Sequence, residues 1–274
     1  MSSESSNPNI PYQDLYDTYK RYNYLSKVFT IIMCVTSVIV AVLAFIPSII
    51  PSLVFPNFIF NGLIVAQVAF VFCHLLFLAL AESIYITAED NRLQGAFDHS
   101  FGTRFLAEDV KNYYDSEGVE PGPYKLFVNY FENCYFTYTI AQHMTPKIVW
   151  WNLTFIILLI PPVIVTLKFS SLDLFFQIVL IFVQLFATPL LLWGLLKHLA
   201  FVRQLSSIYK CFICLFSRTE ETQSAALFKN VVAYEKALAY YNTATDSEIY
   251  EKLQCKLNQG WEEMKKRYNI NVDG

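Results

Sequence analysis

Ionised side chains are scarce in this sequence, and their absence is concentrated in blocks. Only 16 % of its 274 residues are Asp, Glu, Lys or Arg, against 55 % hydrophobic and 17 % aromatic. An ordinary soluble domain is about 25 % charged. Glycine is limited to 8 residues and proline to 11, too few for a collagen-like or low-complexity chain. Six cysteines in a chain of this length do not make a disulfide scaffold. Positive charge is not in excess either: a net charge of −3 gives no electrostatic footprint for nucleic acid. P-loop, Gly-rich dinucleotide, H-E-x-x-H and EF-hand patterns are all missing, so no cofactor and no metal are called for.

The charge-free blocks have lengths that carry meaning. Residues 28–81 form one block of 54, residues 148–167 a block of 20, and residues 174–196 a block of 23. A helix rises about 1.5 Å per residue, so roughly 20 apolar residues cross a hydrocarbon core about 30 Å thick. The two shorter blocks each fit one crossing. The longest fits two, with Pro47, Pro51 and Pro56 marking the turn, because proline lacks the amide a continuing helix needs. The expected crossings are 28–47, 58–81, 148–168 and 174–197. In lipid every backbone polar group must be satisfied within the segment, so these are helices.

Lysine and arginine set the expected orientation. The connection between the first two crossings has no charge, and that between the last two has only Lys168 and Asp173. Lys20, Arg21 and Lys27 precede the first crossing; Arg92, Arg104, Lys111, Lys125 and Lys147 lie between the second and third; Lys197, Arg203, Lys210 and Arg218 follow the fourth. The positive-inside rule then places both termini in the cytoplasm, with Trp150, Trp151 and Trp193 at the cytoplasmic interface. The expected organisation is a cytoplasmic lead (1–27, of which 1–11 reads as disordered and not as a secretory signal), a transmembrane hairpin (28–81), a helical cytoplasmic segment (82–147), a second hairpin (148–197) and a helical cytoplasmic tail (198–274). The fold class is all-α, a four-helix membrane bundle with a helical cytoplasmic region.

The middle segment carries ten acids and five bases. Leu93, Phe97, Phe101 and Phe105 recur every four residues, as one helix face does. The turn-rich run Asp115–Pro123 breaks the pattern, and Leu126, Phe127, Tyr130, Phe131, Cys134 and Tyr138 resume it. In the tail, Leu227, Val231, Tyr234, Leu238 and Tyr241 make a seam of steps of four and three. Thr245-Asp246-Ser247-Glu248 reads as a capping box ahead of a face formed by Ile249, Leu253, Leu257, Trp261, Met264 and Tyr268.

Few residues carry candidate chemistry. Within the crossings the polar residues Gln67 and His74, and Gln177, Gln184 and Thr188, fall at near-heptad spacing and so share faces. Such groups in hydrocarbon need partners. They either bond between helices or line a pore, and we take them as the candidate pore-lining set. No ionised group lies at membrane depth, which speaks against an ion-coupled transporter. Cys211-Phe212-Ile213-Cys214 lacks two further ligands for zinc. Asp98-His99-Ser100 has triad letters, but neighbours on a helix point about 100° apart and cannot act as a triad. Phe97, Asp98, Arg104, Glu132 and Asn133 are the candidate sensing residues of the middle segment.

The layout of two hairpins flanking a helical insert, together with Leu93-Gln94-x-x-Phe97-Asp98 just after the second crossing, resembles the bacterial four-transmembrane pore-forming effectors associated with cyclic-nucleotide anti-phage defence. The resemblance implies a non-enzymatic membrane effector that oligomerises or opens on an upstream cyclic-nucleotide signal or sensor and depolarises the membrane. Its partners would be membrane lipid and further copies of itself. The family offers no catalytic residues. Two rival readings stay open: an adaptor docking partners through its tail helices, and a membrane enzyme using middle-segment carboxylates.

Overall fold

A computed structural model describes residues 10–50, 52, 55–108, 110, 114, 116, 118–169, 174–217, 223–241 and 246–270; within the helices, residues 44, 47, 48, 57, 158, 159, 161–163, 165–169 and 174–191 are described by their backbone alone. Six helices and no strand occur among the described residues: α1 (Gln13–Ile49), α2 (Asn57–Phe101), α3 (Pro123–Phe169), α4 (Leu174–Phe216), α5 (Gln223–Tyr241) and α6 (Ser247–Arg267). The chain divides into two units. Unit one comprises Met1–Asp17, Ile84–Thr145 and Lys197–Gly274, and unit two comprises Thr18–Ser83 and Pro146–Leu196. Each of α1 to α4 therefore contributes residues to both units.

Unit one is built around the helical stripes of the charged segments. Leu126, Tyr130, Phe131 and Cys134 of α3 meet Phe201, Leu205, Ile208 and Phe212 of α4, all buried. The α5 seam supplies Leu227, Val231, Tyr234 and Leu238, with Tyr241 half-buried at its end, and α6 supplies Trp261. Phe131 is the hub. Its ring centroid lies 4.9 Å from Phe216, 5.5 Å from Trp261 and 5.7 Å from Phe212. Full burial of such a side chain stabilises by about 1.5–3 kcal/mol, and well-oriented ring pairs add about 0.5–1.5 kcal/mol each.

Two local expectations are corrected. The face Leu93, Phe97, Phe101, Phe105 stops one residue early: α2 ends at Phe101, Gly102 adopts a positive φ of 69°, and Phe105 is exposed. The cause lies in Asp98. Its carboxylate accepts bonds from Thr103 Oγ1, Phe105 N and Leu106 N, each at 2.8 Å, and so folds the chain back where only glycine turns freely. At α6 the cap is Asp246, whose carboxylate accepts from the amides of Glu248 and Ile249. An Asp there satisfies the first-turn donors directly; Thr245 lies outside the described residues.

Unit two is packed differently. On α1 and α2, Val40 meets Phe60 and Ile64, and Met33 and Cys34 meet Val68, Phe70 and Val71. Phe29 stacks on Phe77 at 5.6 Å and 8°. Other apolar side chains point outward, among them Val65, Phe72 (68 % exposed), Leu76, Trp150 (72 %) and Ile157. An apolar exterior of this kind is compatible with a surface that faces a membrane or a partner.

Among the described residues, three segments are long and apolar enough to cross a membrane: Gln13–Leu43, Phe58–Phe101 and Leu192–Phe216. The first covers residues 28–43 of the expected crossing 28–47, and the second contains the expected crossing 58–81. The third differs from the expected 174–197, whose residues 174–191 are described by backbone alone. Its apolar character has a separate origin, because Phe201, Leu205, Ile208 and Phe212 at steps of four, three and four fill the core of unit one. Pro146 sits inside α3 without breaking it; Thr145 Oγ1 bonds the Ala141 carbonyl one turn back at 3.1 Å.

Candidate functional site

The most concentrated charge in unit one is a chain of groups joining three helices. Arg92 of α2 bonds Glu89 through Nε at 2.8 Å and grips both carboxylate oxygens of Glu235 on α5 at 2.7 and 2.8 Å. The phenol of Tyr16 on α1 donates to the other oxygen of Glu89 at 2.7 Å. The side chains of Arg92, Glu89 and Glu235 are 8 %, 14 % and 20 % exposed. A guanidinium fork matches two carboxylates where an ammonium would not. Two buried phenols face this triad. Burial, and secondarily the Glu235 carboxylate, pushes Tyr130 far up; burial does the same to Tyr234, partly offset by Arg92. Both stay neutral across the physiological range. The arrangement ties α1, α2 and α5 together and commits the Nε and Nη2 donors of Arg92 to carboxylates.

A second, uncharged network closes the turn after α2. Ser100 Oγ donates to the Ala96 carbonyl at 2.6 Å and accepts from Asn129 Nδ2 at 3.1 Å. Ser116 Oγ donates to Asn129 Oδ1. With its proton committed there, Ser116 accepts from His99 Nε2, 3.3 Å away, which fixes the protonated nitrogen of His99. Asp98, His99 and Ser100 thus serve three separate partners, as their helical spacing requires.

The candidate sensing residues fall in two places. Phe97 stacks on Phe101 at 5.8 Å, Asp98 organises residues 103–106, and Arg104 is exposed on that loop. Glu132 and Asn133 lie on α3. Glu132 is buried and, after burial itself, is the larger influence raising the phenol of Tyr250 on α6. The Asn133 carbonyl accepts from Tyr234 of α5 at 3.3 Å. One group shapes a turn and the other faces α5 and α6.

In unit two, Gln67 is fully buried and donates through Nε2 to Ser37 Oγ of α1 at 3.0 Å, while Ser37 donates onward to the Met33 carbonyl. His74 Nδ1 meets Ser26 Oγ at 2.9 Å and Thr30 Oγ1 at 3.1 Å. Both polar residues of α2 are therefore engaged with α1 within one chain. The side chains of Gln177, Gln184 and Thr188 lie outside the described residues. No group of His, Cys, Asp and Glu able to hold a metal occurs among the described residues, and Cys211 and Cys214 are free and exposed.

The triad was missed by sequence reasoning. Glu89 and Arg92 sit three apart on a helix, a pairing distance. Glu235, adjoining the buried position Tyr234 of the α5 seam, was the available cue to the third member. The chain matches no protein-family model, no curated protein and no solved structure.

Proposed function

We propose that this protein is a multi-pass membrane effector. Its two apolar hairpins form a four-helix bundle in the inner membrane with both termini cytoplasmic. Unit one, on the cytoplasmic side, receives a trigger, and the bundle then admits ions. The observation that carries this reading is the continuity of α1 to α4, each of which contributes residues to both units. A helix rotated or shifted within unit one moves as a rod, because its hydrogen bonds are internal. A ligand or upstream sensor that binds the open arrangement more tightly then shifts the population toward it. Several copies would assemble around the pore, with Gln67, His74, Gln177, Gln184 and Thr188 available to its lining once the α1–α2 bonds exchange.

Induced expression in bacteria loaded with a membrane-potential dye tests this reading. The expected result is growth arrest with loss of potential, abolished by Gln184→Leu without loss of the protein from the membrane. Intact potential in cells holding ample membrane-inserted protein would remove the effector reading. The adaptor reading then takes its place, favoured by Phe228 and Val232, exposed one turn apart on α5. It expects a partner captured through residues 218–268.

A further inference from the structure

A groove of about 440 Å³ runs between α3 and α4 within unit one. One wall is a single face of α4. Arg203, Ser206, Ser207 and Lys210 line it at positions i, i+3, i+4 and i+7, so the four side chains project the same way over about two turns. The facing wall is Tyr138, Gln142 and Thr145 of α3, again at i, i+4 and i+7. Leu199 and Val202 give the groove an apolar end.

The chemistry of this lining is one-sided. Two cations, four hydroxyls and one amide converge, and no carboxylate is among the lining residues. Arg203 and Lys210 are exposed and form no ion pair among the described residues. This contrasts with Arg92, which holds two carboxylates. Gln142 Nε2 already donates to the Tyr138 hydroxyl at 2.6 Å, and Thr145 Oγ1 lies 3.1 Å from His198 Nε2. The α3 wall is thereby held in place, while the α4 wall presents its donors unspent. Guanidinium, ammonium and hydroxyl donors spaced along a groove are complementary to the several acceptor oxygens of a phosphate ester.

We propose that this groove is a binding site for a phosphate ester, carried either on a membrane lipid headgroup or on a small soluble molecule. Arg203 and Lys210 supply the charge, Ser206 and Ser207 the additional donors, and Leu199 and Val202 the contact for the attached apolar portion. The volume exceeds what a bare phosphate needs and leaves room for the group it is esterified to. The proposal stands on the groove alone and does not depend on whether the protein permeabilises membranes.

Purified full-length protein in uncharged detergent tests it by equilibrium binding and by the midpoint of thermal unfolding. The probes are inorganic phosphate, glycerol 3-phosphate, phosphatidylglycerol mixed into the micelles, and diacylglycerol as the tail without phosphate. Binding of either soluble probe assigns the site to soluble phosphates. Binding of phosphatidylglycerol alone assigns it to lipid headgroups. Binding of none, or of diacylglycerol as tightly as phosphatidylglycerol, overturns the proposal. The Arg203→Gln, Lys210→Gln double variant is expected to weaken the productive probe by about tenfold or more, as loss of charge-assisted bonds does. The charge-matched control Lys256→Gln, Lys266→Gln, both exposed on α6, is expected to leave binding unchanged; an equal loss there reduces the effect to overall charge and overturns the site. Should the double variant not fold, Ser206→Val keeps both cations and must still weaken binding, and unchanged affinity rejects the groove.

Discussion

Unit one and unit two share four long helices, yet they differ in how large their buried apolar cores are. In unit one, Phe131, Phe201, Leu205, Phe212 and Trp261 point inward, and α6 turns outward a face carrying the Lys252–Glu248 pair. In unit two, Val65, Phe72, Leu76, Trp150 and Ile157 point outward, while Gln67, Ser37 and Ser26 are buried alongside small apolar clusters such as Val40, Phe60 and Ile64. Water outside rewards the first arrangement, because about 25 cal/mol is gained per Å² of apolar surface removed from it. Oil outside removes that incentive and leaves packing and hydrogen bonds to hold helices together.

The comparison breaks most visibly at the two cores. Phe131→Ala removes the ring that unit one packs around and is expected to cost about 3–5 kcal/mol. Phe72→Ala, on the outward face of α2, is expected to change stability by less than about 0.5 kcal/mol. Denaturant unfolding of the detergent-solubilised chain, followed through its aromatic circular dichroism, measures both. Equal losses would mean that unit two also depends on a buried core and that its exposed apolar face is a packing surface.

The buried triad ranks next. Arg92→Met leaves Glu89 and Glu235 facing each other without their cation, and the expected loss is about 3 kcal/mol. The lower end of the range applies because Glu235 is one-fifth exposed and water relieves part of the penalty. Adding Glu235→Leu to Arg92→Met should restore part of that stability, since an apolar replacement needs no counter-charge. No recovery in the same unfolding assay would show that the triad contributes through geometry and not through charge balance.

Sequence patterning carried the helical parts of this architecture well and the long-range pairings hardly at all. Pro56 immediately precedes α2, a local stop signal read correctly because a missing donor is a local fact, whereas α1 runs through Pro47 to Ile49. The α5 seam and the α3 stripe became core because period 3.6 already sorts faces. Glu235 lies 143 residues from Arg92, and no periodicity reports such a separation. The groove was invisible for the same reason: Arg203, Ser206, Ser207 and Lys210 share a face by spacing, but only the fold brings Tyr138, Gln142 and Thr145 opposite. Phe105 misled because its spacing of four continued past a glycine turn that the Asp98 carboxylate stabilises.

Inside unit two the expected effects are smaller. Gln67→Leu removes the bond to Ser37, and hydrogen bonds between helices in lipid average about 0.6 kcal/mol with a ceiling near 1.7. The same substitution also removes Gln67 Oε1, a buried oxygen with no hydrogen-bond partner among the described residues, which offsets part of the loss. A net destabilisation below about 1 kcal/mol is expected in the same detergent unfolding assay. A loss approaching that of Arg92→Met would show that unit two is held by polar contacts as strong as those of unit one.

The finest discrimination alters no packing and asks which fluid each surface meets. Cys255 on α6 is exposed and Cys73 on α2 is half-exposed, whereas Cys134 is buried and its thiol pushed up by that burial. A thiol reacts with maleimide as the thiolate, and the thiolate forms only where water reaches it. In sealed, inside-out vesicles a membrane-impermeant maleimide is therefore expected to modify Cys255 within minutes and to leave both Cys134 and Cys73 intact. Protection of Cys134 follows from packing alone. Protection of Cys73 does not, since its side chain is accessible in the isolated chain, so only a surrounding apolar medium or another protein copy would shield it. Solubilising the vesicles in a loose detergent should then raise the reactivity of Cys73 before that of Cys134. Modification of Cys73 at the rate of Cys255 in intact vesicles would place the outward face of α2 in water and remove the distinction between the two units.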